Sequence, residues 1–114
     1  MSQEDRNKYL YKDVSTNDSK RVDIIKEYVS MVTGINNLSE VSRKRNLADA
    51  RHIAMYLMSK YTNLTLFEIG EQFGGKDHAT VVHAKRKIMN LVNIDKDITN
   101  TVNKCMELIE LKLK

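Results

Sequence analysis

From Ser19 onward, Val22, Ile25, Val29 and Val32 return every three or four positions, the spacing that lines one face of an α-helix. Asp18 or Ser19 can accept the first free N–H groups of that helix, and Gly34 can take the left-handed conformation that ends it. A second stripe of Ala50, Ile53, Ala54, Leu57 and Tyr61 predicts a helix from about Leu47 to Tyr61, with Arg51, His52 and Ser59 off the stripe. Thr65-Leu66-Phe67-Glu68 has capping-box spacing, in which Thr65 accepts from the Glu68 N–H and Glu68 reaches back to Thr65. A short helix to about Phe73 follows, and Gly74-Gly75 stops it, because glycine adopts positive φ without a Cβ clash. Asp77 then caps a fourth helix that ends near Asn90 or Leu91. On it Val81, Ala84, Ile88 and Leu91 share one face, and Thr80, His83, Lys87 and Asn90 share another. Lys85 falls on the apolar side, where its stem can pack while its ammonium reaches water. A last helix, about Lys96 to Leu113 behind Asp95, carries Ile98, Val102, Cys105, Met106, Ile109 and Leu113 at helical spacing.

Residues 1–18 have no sustained apolar period and are expected to form a polar, mobile arm; residues 19–114 are expected to form one helical domain. No proline interrupts the chain. The expected fold is all-α, with about five helices, a central helix-turn-helix and a basic loop at Arg43-Lys44-Arg45.

Composition narrows the functional class. At 114 residues the chain can bury a core without disulfide or metal staples, and its one cysteine, Cys105, sits on an apolar stripe as a buried thiol would. No apolar run approaches the ~18 residues of a spanning helix, and the first twenty residues lack a signal peptide's apolar stretch, so a cytoplasmic location without a membrane partner is expected. Net charge is +4, but it is unevenly placed. Residues 43–87 hold nine Lys/Arg against four Asp/Glu, a net of +5, which leaves −1 on the other 69 residues. Such a concentration suits a phosphate-binding surface and equally a solvated charged face.

Helix, two-glycine turn and helix is the arrangement that inserts a recognition helix into the major groove of duplex DNA. Asp77, His78, Ala79 and Thr80 would open that helix, the segment nearest base edges. A carboxylate accepts from the cytosine amino group, Ala and Thr methyls meet thymine methyls, and His bonds to a base or phosphate; His83 and Lys87 would face a phosphate strand. On periodicity alone, Asp77 is equally well only a cap and the polar face only solvated. His78 and His83 are five positions apart with no third ligand nearby, so no metal is expected. Adjacent Asp77 and His78 project differently and have no paired nucleophile, so no enzyme and no cofactor are expected.

Three stretches carry a specific resemblance: Arg51-His52-Ile53-Ala54-Met55-Tyr56-Leu57, Thr62 to Gly70, and Phe73-Gly74-Gly75-Lys76-Asp77-His78-Ala79-Thr80-Val81-Val82-His83-Ala84-Lys85-Arg86-Lys87-Ile88. Together they closely resemble the C-terminal DNA-binding domain of the bacterial replication initiator DnaA, over roughly Val22 to Leu91. The resemblance implies double-stranded DNA as partner, bound at a short asymmetric box in both grooves, in replication initiation or its regulation. It places Arg43, flanked by Lys44 and Arg45, in the minor groove. Arg51, Thr62 and Leu66 match backbone contacts. Asp77, His78 and Ala79, just after Lys76, match base-reading positions. Thr80, His83 and Lys87 match positions that hold phosphates or adjoining groups.

The chain departs from the family pattern at four points. Phe67 replaces a usual Pro and is available to the core, Ala79 replaces Thr, His52 replaces Gln, and Asp49 lies where the pattern is often basic. No Gly-x-x-x-x-Gly-Lys-Ser/Thr pattern occurs in the 114 residues, so nothing here resembles the initiator's phosphate-cradling nucleotide site. An alternative is a protein-interaction module of a replication or mobile-element complex, in which the stripe from Ile98 to Leu113 docks on replication proteins or a second copy. A monomer with that stripe packed internally is the simpler expectation.

Overall fold

The computed structural model describes residues 16–36, 38 and 45–113. They form five helices: α1 (Thr16–Thr33), α2 (Arg45–Tyr61), α3 (Leu66–Glu71), α4 (His78–Leu91) and α5 (Lys96–Leu113). Among the described residues there is no strand, and the fold is all-α as the periodicity predicts. Residues 1–15 and the basic-loop residues Arg43 and Lys44 lie outside the described residues; Arg45 opens α2.

α1 begins at Thr16, earlier than the apolar stripe suggests. Asp18 therefore lies inside the first turn, where a carboxylate complements the helix dipole, and is buried rather than part of a polar arm. Its Oδ1 accepts the Asn63 N–H at 3.3 Å. One turn on, Arg21 donates from Nη1 to the Tyr61 carbonyl at 2.8 Å and satisfies an orphan acceptor at the end of α2. The start of α1 thus clamps the α2–α3 connection on which the helix-turn-helix is mounted. At its other end Gly34, at φ +77°, donates to the Ser30 carbonyl and closes the helix.

α2 is the centre of the molecule, packed against α1, α3 and α4. A helix with neighbours on several sides buries more than one stripe. Met55 and Met58, off the predicted stripe, are fully buried beside Ile53, Ala54 and Leu57. Arg51 is buried as well, and its Nε donates to the Leu38 carbonyl at 2.9 Å.

α5 lies mainly on α1. Its Ile98, Val102, Cys105 and Ile109 are buried in the common core, so the stripe that made α5 a candidate docking seam is covered from within the chain. Asp95 caps α5 by accepting the Ile98 N–H at 2.9 Å, and the Tyr61 hydroxyl donates to Glu110 at 2.5 Å, tying α2 to α5. Burial, and next the bond to Glu110, hold the Tyr61 phenol above its ordinary pKa. Burial pushes the Cys105 thiol up to about 11. Among the described residues, no helix is long and apolar enough to cross a membrane.

Candidate nucleic-acid interface

The helix-turn-helix is built from local signals that the sequence displays openly. Thr65 accepts the Glu68 N–H at 3.1 Å, and Glu68 Oε1 accepts the Thr65 N–H at 2.8 Å, a complete capping box at the start of α3. α3 ends at Glu71, two residues before Phe73, and the Phe73 ring is fully buried beneath the turn. Gly74 and Gly75 follow at φ +83° and +78°, the left-handed region that a Cβ disfavours.

The third glycine matters for a different reason. The Gly70 carbonyl accepts from both the Phe73 and the Lys76 N–H, each at 3.0 Å, folding the turn back onto α3. A Cβ at position 70 would lie 2.0 Å from the Lys76 carbonyl oxygen and 3.5 Å from Val81. Gly70 therefore sets how closely the start of α4 approaches α3. Its role is invisible to periodicity, since an isolated glycine in a helical pattern reads only as a mild weakness.

Asp77 caps α4, its Oδ1 accepting the Thr80 N–H at 2.8 Å. The hydrogen bonds from Thr80 hold the fully exposed Asp77 carboxyl below its ordinary pKa, so it is anionic at neutral pH. His78 and Ala79 are exposed in the first turn of the helix and Thr80 is half-buried. Val81, Ala84 and Ile88 enter the core. At about 100° per residue, the line directly opposite that core face is Ala79, His83, Arg86 and Asn90. All four are exposed. Arg86 is a candidate contact that sequence reasoning left out; its i+3 spacing from His83 was the available signal.

The flanks of α4 differ. Thr80 and Lys87 lie on one. Lys87 reaches α2, with Nζ 3.0 Å from Asp49 Oδ1 and 3.3 Å from His52 Nδ1. Burial first, then the adjacent Lys87 charge, hold His52 below its ordinary pKa, against the opposing pull of Asp49. On the other flank Val82, Lys85 and Met89 border a groove closed by Leu66 of α3. Lys85 is half-buried there, as the snorkelling expectation has it. Phe67 is not core, being 42% exposed next to Leu66, because α3 is short and turns only one side toward α2 and α4.

The remaining predicted residues have structural duties in the free protein. The Thr62 hydroxyl donates to the Met58 carbonyl at 2.6 Å and accepts the Leu64 N–H at 3.2 Å. Arg51 is buried and anchors Leu38, just before the basic loop. Leu66 and Lys76 are half-buried on either side of the turn. The structure therefore brings Lys76 through Thr80, His83 and Lys87 together along one helix and its preceding turn, with Leu66 beside it. Among the described residues, no three His, Cys, Asp or Glu side chains converge as a metal site.

Comparison with known proteins agrees with this architecture. Residues 22–88 match the family described as the bacterial DnaA protein helix-turn-helix. The chain is 42% identical to the chromosomal replication initiator protein DnaA of Mycoplasma capricolum subsp. capricolum, an alignment covering 82% of this chain and 22% of that relative. The chain thus spans about a fifth of the length of the curated relative it matches. Since the family match takes in more than half of the residues, including α2, the capping box, the glycine turn and most of α4, the chain belongs to the bacterial DnaA helix-turn-helix family.

Proposed function

We propose that the domain binds double-stranded DNA sequence-specifically at a DnaA-box-like site, with α4 in the major groove and Arg43-Lys44-Arg45 in the minor groove, in replication initiation or its regulation. The observation that carries this reading is the exposed line Ala79-His83-Arg86-Asn90, set opposite the core face of α4 and opening on Asp77 and His78 directly after the glycine turn. An α-helix with its side chains is ~10–12 Å across and the B-DNA major groove ~12 Å wide, so α4 fits end-on or along the groove.

The chemistry of recognition follows from where each group sits. Asp77, anionic and exposed, accepts from a cytosine amino group while its backbone bonds hold the carboxylate in place. The Ala79 methyl meets a thymine methyl, and His78 donates to or accepts from a neighbouring base edge or phosphate. His83, Arg86 and Lys87 follow the phosphate strand and supply affinity without reading sequence. Arg51 contributes by holding Leu38, and through it the loop that leads to Arg43, rather than by exposing its own stem.

The test is a binding titration of the chain against a box duplex and a scrambled duplex of equal length, repeated over a salt series. Tighter binding to the box by a factor of ten or more supports the proposal. Equal affinity for both duplexes, or no binding at low salt, removes it.

A further inference from the structure

We infer that Asp49 sets the DNA affinity of this domain by acting as an internal stand-in for a phosphate, occupying Lys87 in the free protein. The inference rests on the DNA-binding reading above.

Lys87 is the C-terminal cation of the α4 face, and its ammonium is already engaged by two α2 groups one turn apart, Asp49 Oδ1 at 3.0 Å and His52 Nδ1 at 3.3 Å. An ammonium has three N–H donors, so two of the three are committed before any ligand arrives. The pair is accessible: the Lys87 side chain is 41% exposed and that of Asp49 24%, so a phosphate oxygen can reach Nζ from solvent once the carboxylate gives way. The carboxylate also cancels the Lys87 charge toward distant anions. A phosphate several ångströms away faces a dipole rather than a cation, so Lys87 neither steers DNA nor releases a counterion unless Asp49 yields. The ion pair is also local to one flank of α4. Arg86, on the line opposite the core, and Lys85, across the helix at the groove with Leu66, are outside it.

Asp49 is thus a positioning residue acting through Lys87. Replacing it with Asn keeps the shape and an acceptor oxygen but removes the charge that competes with phosphate.

The experiment measures box-duplex affinity across a salt series for the full chain, Asp49→Asn and Asp49→Glu, and for Lys87→Ala with and without Asp49→Asn. Asp49→Asn is expected to tighten binding at low salt and to steepen the slope of log K against log salt by about 0.9, one phosphate contact's worth. Its advantage over wild type then shrinks about 3.5-fold between 50 and 200 mM salt. Asp49→Glu, which keeps the competing charge, should retain the wild-type slope. The Asn advantage should fall at least threefold when Lys87→Ala is present, because no cation remains to be released. An equal advantage in both backgrounds overturns the inference, since it reports repulsion of DNA by Asp49 alone. Weaker binding by Asp49→Asn overturns it too, since the pair would then orient α4. Circular dichroism confirms that each variant folds, and Asp49→Ser substitutes if Asp49→Asn does not. Failure of the wild-type chain to prefer the box removes the DNA-binding reading itself, whereas a box-binding wild type with an unchanged Asp49→Asn slope removes only this one.

Discussion

Replacing Gly70 with alanine probes the joint between α3 and α4 through the backbone at Lys76. The new Cβ would stand 2.0 Å from the Lys76 carbonyl oxygen, while ordinary contact begins at 3.4 Å, so the turn must open by the difference, 1.4 Å. The clashing atoms are the Lys76 carbonyl oxygen and carbon, which are backbone rather than the end of a flexible side chain. Forcing an extra carbon into such a site costs about 1–3 kcal/mol. Opening the turn also lengthens the Lys76 N–H bond to the Gly70 carbonyl, 3.0 Å in the native fold, whose loss costs about 1 kcal/mol. The intrinsic helical preference of Ala over Gly returns about 1 kcal/mol. The net expectation is a destabilisation of about 1–3 kcal/mol, or a fall in Tm of roughly 4–12 °C for a domain of this size. Urea unfolding followed by circular dichroism measures it. Gly74→Asn serves as the control, since that site at φ +83° has open space and Asn tolerates the left-handed region best among non-glycine residues. Box affinity of the still-folded Gly70→Ala protein should fall as well, because α4 is displaced relative to α3. A Gly70→Ala protein with the wild-type urea midpoint and wild-type affinity would refute the view that this approach sets the position of α4.

Three further outcomes are expected. Asp77→Asn, which preserves a good N-cap, should leave helicity unchanged while weakening the preference for the box over its cytosine-substituted variant; selection of the same box by the variant would confine Asp77 to capping. Arg86→Ala should weaken binding to box and scrambled duplexes alike and flatten the salt slope by about 0.9, and a specificity change without a slope change would place Arg86 on a base instead. For pH, His52 is held below its ordinary value of 6.5 by burial and by Lys87, with Arg51 adding to that and Asp49 opposing. The unfolded chain therefore binds the proton more readily, and His52 costs no stability above pH 6.5. Stability falls as pH drops from there through the lowered folded value. A proton NMR titration should give a His52 midpoint below 6.5, and His52→Gln should remove that step from the stability profile.

The helices were legible in the sequence because the signals that make them are local. Val22, Ile25 and Val29, the Thr65–Glu68 capping box, the Asp77 and Asp95 caps and the glycines at 34, 74 and 75 act within a few residues, and all appear in the structure where their spacing puts them. The start of α4 behind its Asp77 cap was legible for the same reason, and it falls within the family match of residues 22–88. What depends on which helices become neighbours was not. Met55, Met58 and Arg51 are not among the positions of the single stripe read for α2, and they are buried because α1, α3 and α4 cover that helix from several sides. Asp18 reads as a cap or the end of an arm until Asn63, 45 positions away, is seen to donate to it. Phe67 reads as core until the shortness of α3 leaves it outside.

The helix α4 shows the same division most clearly. Its start, its cap and its core face were determined by the sequence alone, since helix periodicity and capping need no distant partner. Its distance from α3, set by a backbone contact at Gly70, and the charge that Lys87 presents, set by Asp49 across 38 positions of chain, were decided only by tertiary packing. The first depends on how a turn folds back across the six positions from Gly70 to Lys76 and the second joins groups 38 positions apart, and helix periodicity reports neither.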